Sequence, residues 1–182
     1  MTELPTQLHH ISKNGTLTKA TMADEVREKL TVNGYHIIEE DLTKPWGGYF
    51  RIANDEADTF ATDFFPGLDP IEARLGNPAA ELSPKIMFVR PAQRLSWQYH
   101  DRRAERWVFI SEGAYYRSED DSQVNLHVAS IGSVVQFQKG ERHRLVADAD
   151  QWTLVAEIWQ HIDPANPSNE DDIIRVEDDY SR

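Results

Sequence analysis

A β-strand repeats its facing every second residue, so in RLSWQYH Ser96, Gln98 and His100 share one face while Leu95, Trp97 and Tyr99 take the other. By the same rule Glu105, Trp107 and Phe109 share a face in the next run. The intervening DRRA is short enough to turn a hairpin, which would bring Glu105 opposite His100. Further along, GSVVQFQKGERHRLV presents His143 at the start of another strand, just after a turn at Gly140. If these strands are neighbours, an amide oxygen, imidazole nitrogens and a carboxylate converge, a donor set suited to a divalent metal. The chain has no cysteine, which excludes thiolate ligands and disulfides together. A buried hydrogen-bonded network would explain any one of these residues. It explains less well the whole set with its flanking glycine turns.

The elements that must position this set are short. From Lys85 onward the chain reads as β runs separated by turns: KIMFVR, RLSWQYH, RWVFIS, AYYRS, VNLHVA, VVQF, HRLVA and WTLVAEIW, the pattern of a small barrel or sandwich. Upstream, residues 1–15 are polar and without periodicity and read as a mobile arm or an edge-strand extension. TMADEVREKL reads as a short helix, with Met22, Val26 and Leu30 on one stripe. YHII and YFRIA read as strands on either side of KPWGGY, where Gly47 and Gly48 are expected to form a positive-φ turn. Residues 54–76 look like a helical insertion anchored by Phe60, Phe64 and Phe65. The acidic tail carries Ile173, Ile174, Val176 and Tyr180 as apolar ties to the body.

At 182 residues the chain has room for one domain, divided here into an N-terminal arm, helix and strand (1–43) and a barrel (44–182). Its net charge of −12 argues against nucleic acid or an anionic membrane as partner. A small anionic substrate would need a local cationic pocket, for which Arg102, Arg103, Arg106, Arg142 and Arg144 are the candidates. The first residues lack an apolar signal core and no long apolar run follows, so a cytoplasmic protein is expected. Pairing into a homodimer through outer strands is a further expectation.

The spacing Gln98-x-His100-x4-Glu105, then Gly113, and Gly132-x5-Gln138-x-Gly140-x2-His143, is similar to the paired motifs of the cupin superfamily. Gln98 replaces the usual first His, and Gln138 the usual Pro. The first departure resembles the phosphomannose isomerases, as do the LSxQ, His, RAE and Trp of residues 95–107. KPWGGYF and EDDIIRVEDDYSR resemble further segments of the bacterial type II enzymes, so the likeness brackets residues 44–182. The chain shows no Gly-rich nucleotide-binding loop, and the nucleotidyltransferase domain that often precedes such modules is not expected in it.

The resemblance implies an all-β cupin barrel, a jelly roll or double-stranded β-helix with short peripheral helices in its N-terminal half. It also implies one divalent metal on Gln98, His100, Glu105 and His143, with zinc first and iron, manganese, cobalt or nickel as alternatives. The implied activity is aldose–ketose isomerisation of a sugar phosphate, mannose 6-phosphate to fructose 6-phosphate. Glu157, His143 and Lys85 are open as the acid–base group, and Arg175 is the candidate for the substrate's charge. Ser96, Trp107, Arg103 and Arg144 are candidate substrate contacts. Rival readings are a non-catalytic sugar-binding or regulatory cupin, an isomerase of another sugar phosphate such as a heptose phosphate, and a metal-dependent oxygenase.

Overall fold

Alternation along the β runs resolves into two facing sheets in the computed structural model, which describes residues 3–180. In chain order the strands are β1 (Ile37–Asp41), β2 (Gly47–Ile52), β3 (Lys85–Val89), β4 (Trp97–Tyr99), β5 (Arg103–Phe109), β6 (Gly113–Ser118), β7 (Leu126–Ala129), β8 (Val134–Phe137), β9 (Arg142–Ala147), β10 (Thr153–His161) and β11 (Ile174–Glu177). Six form an antiparallel sheet in the order β1-β2-β3-β10-β5-β8, and five a second sheet in the order β11-β4-β9-β6-β7. Consecutive strands from β3 onward change sheets repeatedly, the winding of a jelly roll, so the expected all-β barrel is what forms.

Among the described residues, the helices α1 (Glu3–Ser12), α2 (Lys19–Val32), α3 (Ala57–Phe64) and α4 (Pro70–Ala73) belong to the N-terminal half. Residues 3–12 are therefore not the mobile arm or edge strand expected from their polarity; residues 1 and 2 of that expectation lie outside the described residues. Leu4 and Leu8 lie one helical turn apart and are both buried. The helix at TMADEVREKL forms and runs longer, opened by the Thr18 side chain accepting from the Thr21 amide at 3.1 Å.

Two apolar cores explain why β10 is buried along nearly its whole length. Its Leu154, Ala156 and Ile158 join Ile86, Phe88, Phe60, Phe64, Val26 and Leu30 in a core between the six-stranded sheet and the helices. Val155 faces the other way, into the barrel, with Met87, Val89, Trp107, Phe109, Phe137 and Leu145. At about 1.5–3 kcal/mol for each large apolar side chain buried, the helical layer is a principal support of this sheet. The turn expected in KPWGGY forms at Pro45 and Trp46, and the positive φ falls on Gly47 alone, which with Gly48 already lies in β2. Gly47 has φ +154°, and a Cβ there would fall 1.9 Å from the Phe88 carbonyl oxygen, so glycine is required for β2 to approach β3.

The inward positions of the facing sheets grade from apolar to polar. Lys85, Glu157, Trp159, Arg103 and Glu105 follow the apolar residues on the six-stranded sheet, and Ser96, Gln98, His100 and His143 complete the polar end from the other side. Chemistry-bearing residues are thereby confined to one end of the barrel.

Candidate metal centre and adjoining pocket

His100, Glu105 and His143 meet in the barrel interior, each 3 % exposed or less, with one potential ligand atom from each lying within 4.8 Å of the others. The route differs from the expected hairpin. β4 and β5 belong to different sheets, and DRRA carries the chain across the barrel, so Glu105 meets His100 through the interior rather than along a ladder.

The hydrogen bonds fix the chemistry of the imidazoles. His143 Nδ1 lies 2.9 Å from the Glu141 carbonyl oxygen and His100 Nδ1 lies 2.5 Å from that of Asp172. A carbonyl only accepts, so both Nδ1 atoms carry protons, and in the neutral ring each Nε2 presents a lone pair. Those lone pairs face another acceptor: His100 Nε2 is 3.0 Å from Glu105 Oε1, and His143 Nε2 is 3.3 Å from Glu105 Oε2. The donor near them, among the described residues, is Arg103 Nη2, 3.5 Å from His100 Nε2. His143 Nε2 and Glu105 Oε2 are buried without a hydrogen-bond partner among the described residues. Converging, desolvated lone pairs with no proton between them are what a divalent cation satisfies, and these residues fit one.

Burial lowers His100, against the opposing pull of Glu105, and so favours the neutral imidazole. Burial would raise Glu105, but His100 and Arg103 outweigh it and hold the carboxyl well below the usual range. Arg103 is the permanent positive charge of the pair, and its Nε donates to Glu105 Oε1 at 2.9 Å. Gln98 is the neighbour of this trio: its Cα pairs with that of His143, and its amide oxygen accepts from Ser96 Oγ at 2.6 Å. An amide oxygen has a second lone pair, so this bond leaves Gln98 able to coordinate.

Glu105 and Gln98 also line a pocket of about 190 Å³, together with Ser96, Arg103, Lys85 and Glu157. Glu157 faces Lys85 on β3 and Trp107 on β5. Its Oε1 is 3.5 Å from Lys85 Nζ, and its Oε2 accepts from Trp107 Nε1 at 3.1 Å. Burial, then the charge of Glu105, raises the Glu157 carboxyl against the opposing pull of Lys85. Lys85 also donates to Glu170 at 2.9 Å. Arg175 reaches the pocket rim from β11, opposite Gln98 in register, and its guanidinium has no ion pair among the described residues.

The structure corrects several expected contacts. Trp107 is fully buried against Phe137 and His143, so it underlies the site and presents no wall to a substrate. Arg103 does line the pocket, but from a buried place: it is 4 % exposed and its guanidinium stacks 4.0 Å from the Trp159 ring centre. Arg144 is not brought to the pocket, because the alternation that turns His143 inward turns Arg144 outward. There its guanidinium contacts Gln123, Glu177 and Asp179 and is wholly covered. The five arginines therefore do not converge: Arg102 bonds Asn169, Arg142 bonds Asp121, and Arg106 lies on the outer side of its sheet. The tail is tied in part by its apolar residues: Tyr180 packs against the barrel core and Ile173 and Ile174 are half-buried, whereas Val176 is exposed. Polar contacts also hold it, among them Tyr180 Oη donating to the Arg94 carbonyl.

Arg144→Ala is accordingly expected to leave metal content unchanged and to destabilise the fold by about 2 kcal/mol, the scale of lost hydrogen bonds to a charged group. Paired thermal melts and elemental analysis check this.

Sequence reasoning missed Lys44, Trp46, Tyr49 and Glu170 as pocket residues. The signal was present, because three of them stand in KPWGGYF and the fourth opens EDDIIR, both segments that carried the family likeness.

A family model described as mannose-6-phosphate isomerase C-terminal matches residues 78–178, more than half of the chain. No curated protein sequence matches it. Among solved structures, the capsular polysaccharide assembling protein CapF from Staphylococcus aureus is similar over 79% of this chain and 34% of that one, at 13% identity and a TM-score of 0.51. A mutant of Bacillus subtilis oxalate decarboxylase OxdC is similar over 79% of this chain and 31% of its own, at 11% identity and a TM-score of 0.50. A DMSP lyase structure is similar over 95% of this chain and 78% of its own, at 12% identity and a TM-score of 0.50. The chain thus spans about a third of the length of the first two. At these identities the likeness is one of fold, the double-stranded β-helix. Together with the matched family model, it makes this chain a cupin of the mannose-6-phosphate isomerase C-terminal family.

Proposed function

We propose that this protein is a metal-dependent aldose–ketose isomerase acting on a sugar phosphate, with mannose 6-phosphate to fructose 6-phosphate as the first reaction to test. The observation that carries the reading is the opening of Glu157, a buried carboxyl paired with Lys85, onto the same small pocket as Glu105 and Gln98. Isomerisation needs a group that removes the proton at C2 and returns it at C1 through a cis-enediol, and a carboxyl whose charged form is disfavoured by burial exchanges protons readily. Glu157 fills that role. Lys85, beside it, stabilises negative charge developing on the C1 and C2 oxygens. A divalent ion on His100, Glu105 and His143, with Gln98 as a fourth ligand, would supply Lewis-acid polarisation of those oxygens.

Lys44 and Arg175 place positive charge at the pocket rim, where the substrate phosphate would lie. Lys44 is engaged with Asp41 at 2.9 Å, which leaves Arg175 the better phosphate ligand. Arg175→Ala is expected to leave metal content and melting temperature near wild type and to lower kcat/KM on the order of a hundredfold. Kinetics and melts on one preparation check both halves. A drop in melting temperature with unchanged kinetics would instead make Arg175 a tail anchor.

The reading itself is tested by a coupled assay of metal-analysed protein against hexose, pentose and heptose phosphates. Turnover of at least one aldose phosphate, abolished by chelation, is expected. Failure on every member with metal bound would favour a sugar-binding cupin without catalysis.

A further inference from the structure

The C-terminal segment reaches the metal centre from behind. Asp172, 72 residues beyond His100, accepts that residue's Nδ1 proton on its backbone carbonyl at 2.5 Å. Arg103 Nη1 donates to the same carbonyl at 2.9 Å. The Asp172 side chain is equally engaged. It is 5 % exposed, and its carboxylate accepts from the amides of Asp101 at 2.9 Å and Arg102 at 3.0 Å and from Ser168 Oγ at 2.8 Å. Those amides immediately follow His100. One residue therefore fixes the imidazole's tautomer and ring rotation through its main chain, and the course of the backbone beyond the ligand through its side chain. The crossing between the end of β4 and the start of β5 belongs to no strand; besides Asp172, its backbone is held by the Gly140 amide, which donates to the His100 carbonyl at 2.8 Å.

We infer that Asp172 is a positioning residue for His100, and that docking of the segment 168–177 and metal binding are thermodynamically linked. The inference rests on the reading of His100, Glu105 and His143 as metal ligands and extends it to a part of the chain that donates no ligand. A ring held by one bond at Nδ1 is free to tilt about it unless the acceptor is itself held. Here the acceptor's segment is seated by the β11–β4 pairing and by Arg102 and Arg103, and next to the acceptor itself by the carboxylate's grip on the following amides. Linkage then runs in both directions: metal on Nε2 favours the docked segment, and the docked segment favours metal to the same degree. Because the same segment carries Glu170 and Arg175 into the pocket, metal binding would also order the pocket wall.

The full-length protein, stripped by chelation, is titrated with Co(II) and followed by the ligand-field absorption of the bound ion. Asp172→Ala is expected to weaken Co(II) binding ten- to a hundredfold, the range seen when an outer partner of a metal-bound histidine is lost. Asp172→Asn should lose less, since its amide keeps one acceptor oxygen. Hydrogen exchange supplies a readout that a merely structural role would not move: in wild type Co(II) should slow exchange across 168–177, and in Asp172→Asn this protection should shrink. Should the alanine variant fold poorly, the asparagine variant carries the decision. Wild-type Co(II) affinity in Asp172→Asn, with melting temperature lowered equally with and without metal, would overturn the proposal, as would identical exchange of 168–177 in the two wild-type states. A wild-type protein that binds no Co(II) would overturn the metal-centre reading itself, a result separable from the others because it needs no variant.

Discussion

Glu105→Ala and His143→Ala are each expected to lose the bound metal and with it all isomerase turnover, but they should differ in what they do to the metal-free fold. In His143→Ala the change removes one buried lone pair that had no protein donor, and Glu105 keeps its bond from Arg103. The stripped variant should therefore melt close to stripped wild type. Glu105→Ala removes the carboxylate on which the Arg103 Nε proton rests, inside a site where both side chains are almost fully covered. Arg103 retains Ser168, Asn169 and Asp172 as partners, which limits the damage. A loss of about 2 kcal/mol is expected, or roughly 4–8 °C in melting temperature for a chain of this size. Elemental analysis and melts of chelator-treated protein make the comparison. One equivalent of metal retained by both variants would sink the assignment. Equal melting of the two stripped variants would sink the account of Arg103 as the charge that holds Glu105.

The polar face of residues 96–100 is legible in the sequence because period-two alternation is local: it assigns Ser96, Gln98 and His100 to one face whatever the tertiary fold. Which strand meets which is not local. DRRA has the length of a hairpin turn, yet here it spans two sheets, and nothing in those residues distinguishes a turn from a crossing. The same limit applies to Arg144, where proximity in sequence suggests a cluster with other arginines although alternation already separates it from His143. The polar N-terminus hides a helix because a short apolar pair, Leu4 and Leu8, suffices once a sheet and other helices are there to receive it. Lys85 and Glu157 stand 72 positions apart and become one ion pair only through the β3–β10 register.

That register sets up the second large effect. Glu157→Gln is expected to keep metal and fold while kcat falls about a thousandfold, within the range for loss of a general acid–base group, with KM changed little. The substitution is nearly isosteric. An amide oxygen can still accept from Trp107 Nε1, and Lys85 still has Glu170 as a charged partner. What disappears is the ability to carry a proton. A group that served only to neutralise Lys85 would behave differently, since its loss would lower the melting temperature and leave turnover per folded molecule intact. Isotope exchange narrows the test further. In deuterated water the wild-type protein should place solvent deuterium at C1 of the ketose, or at C2 of the aldose in reverse, to the extent that the carboxyl exchanges its proton during the reaction. If Glu157 is the sole carrier, carbon-bound exchange and isomerisation must fall together in Glu157→Gln. Exchange at C2 that persists at the wild-type rate while net turnover is lost would mean that another base lifts the proton. Lys85 and Glu170 are the ion-paired pocket groups beside that carboxyl, and Lys85→Met and Glu170→Gln in the same assay would decide between them.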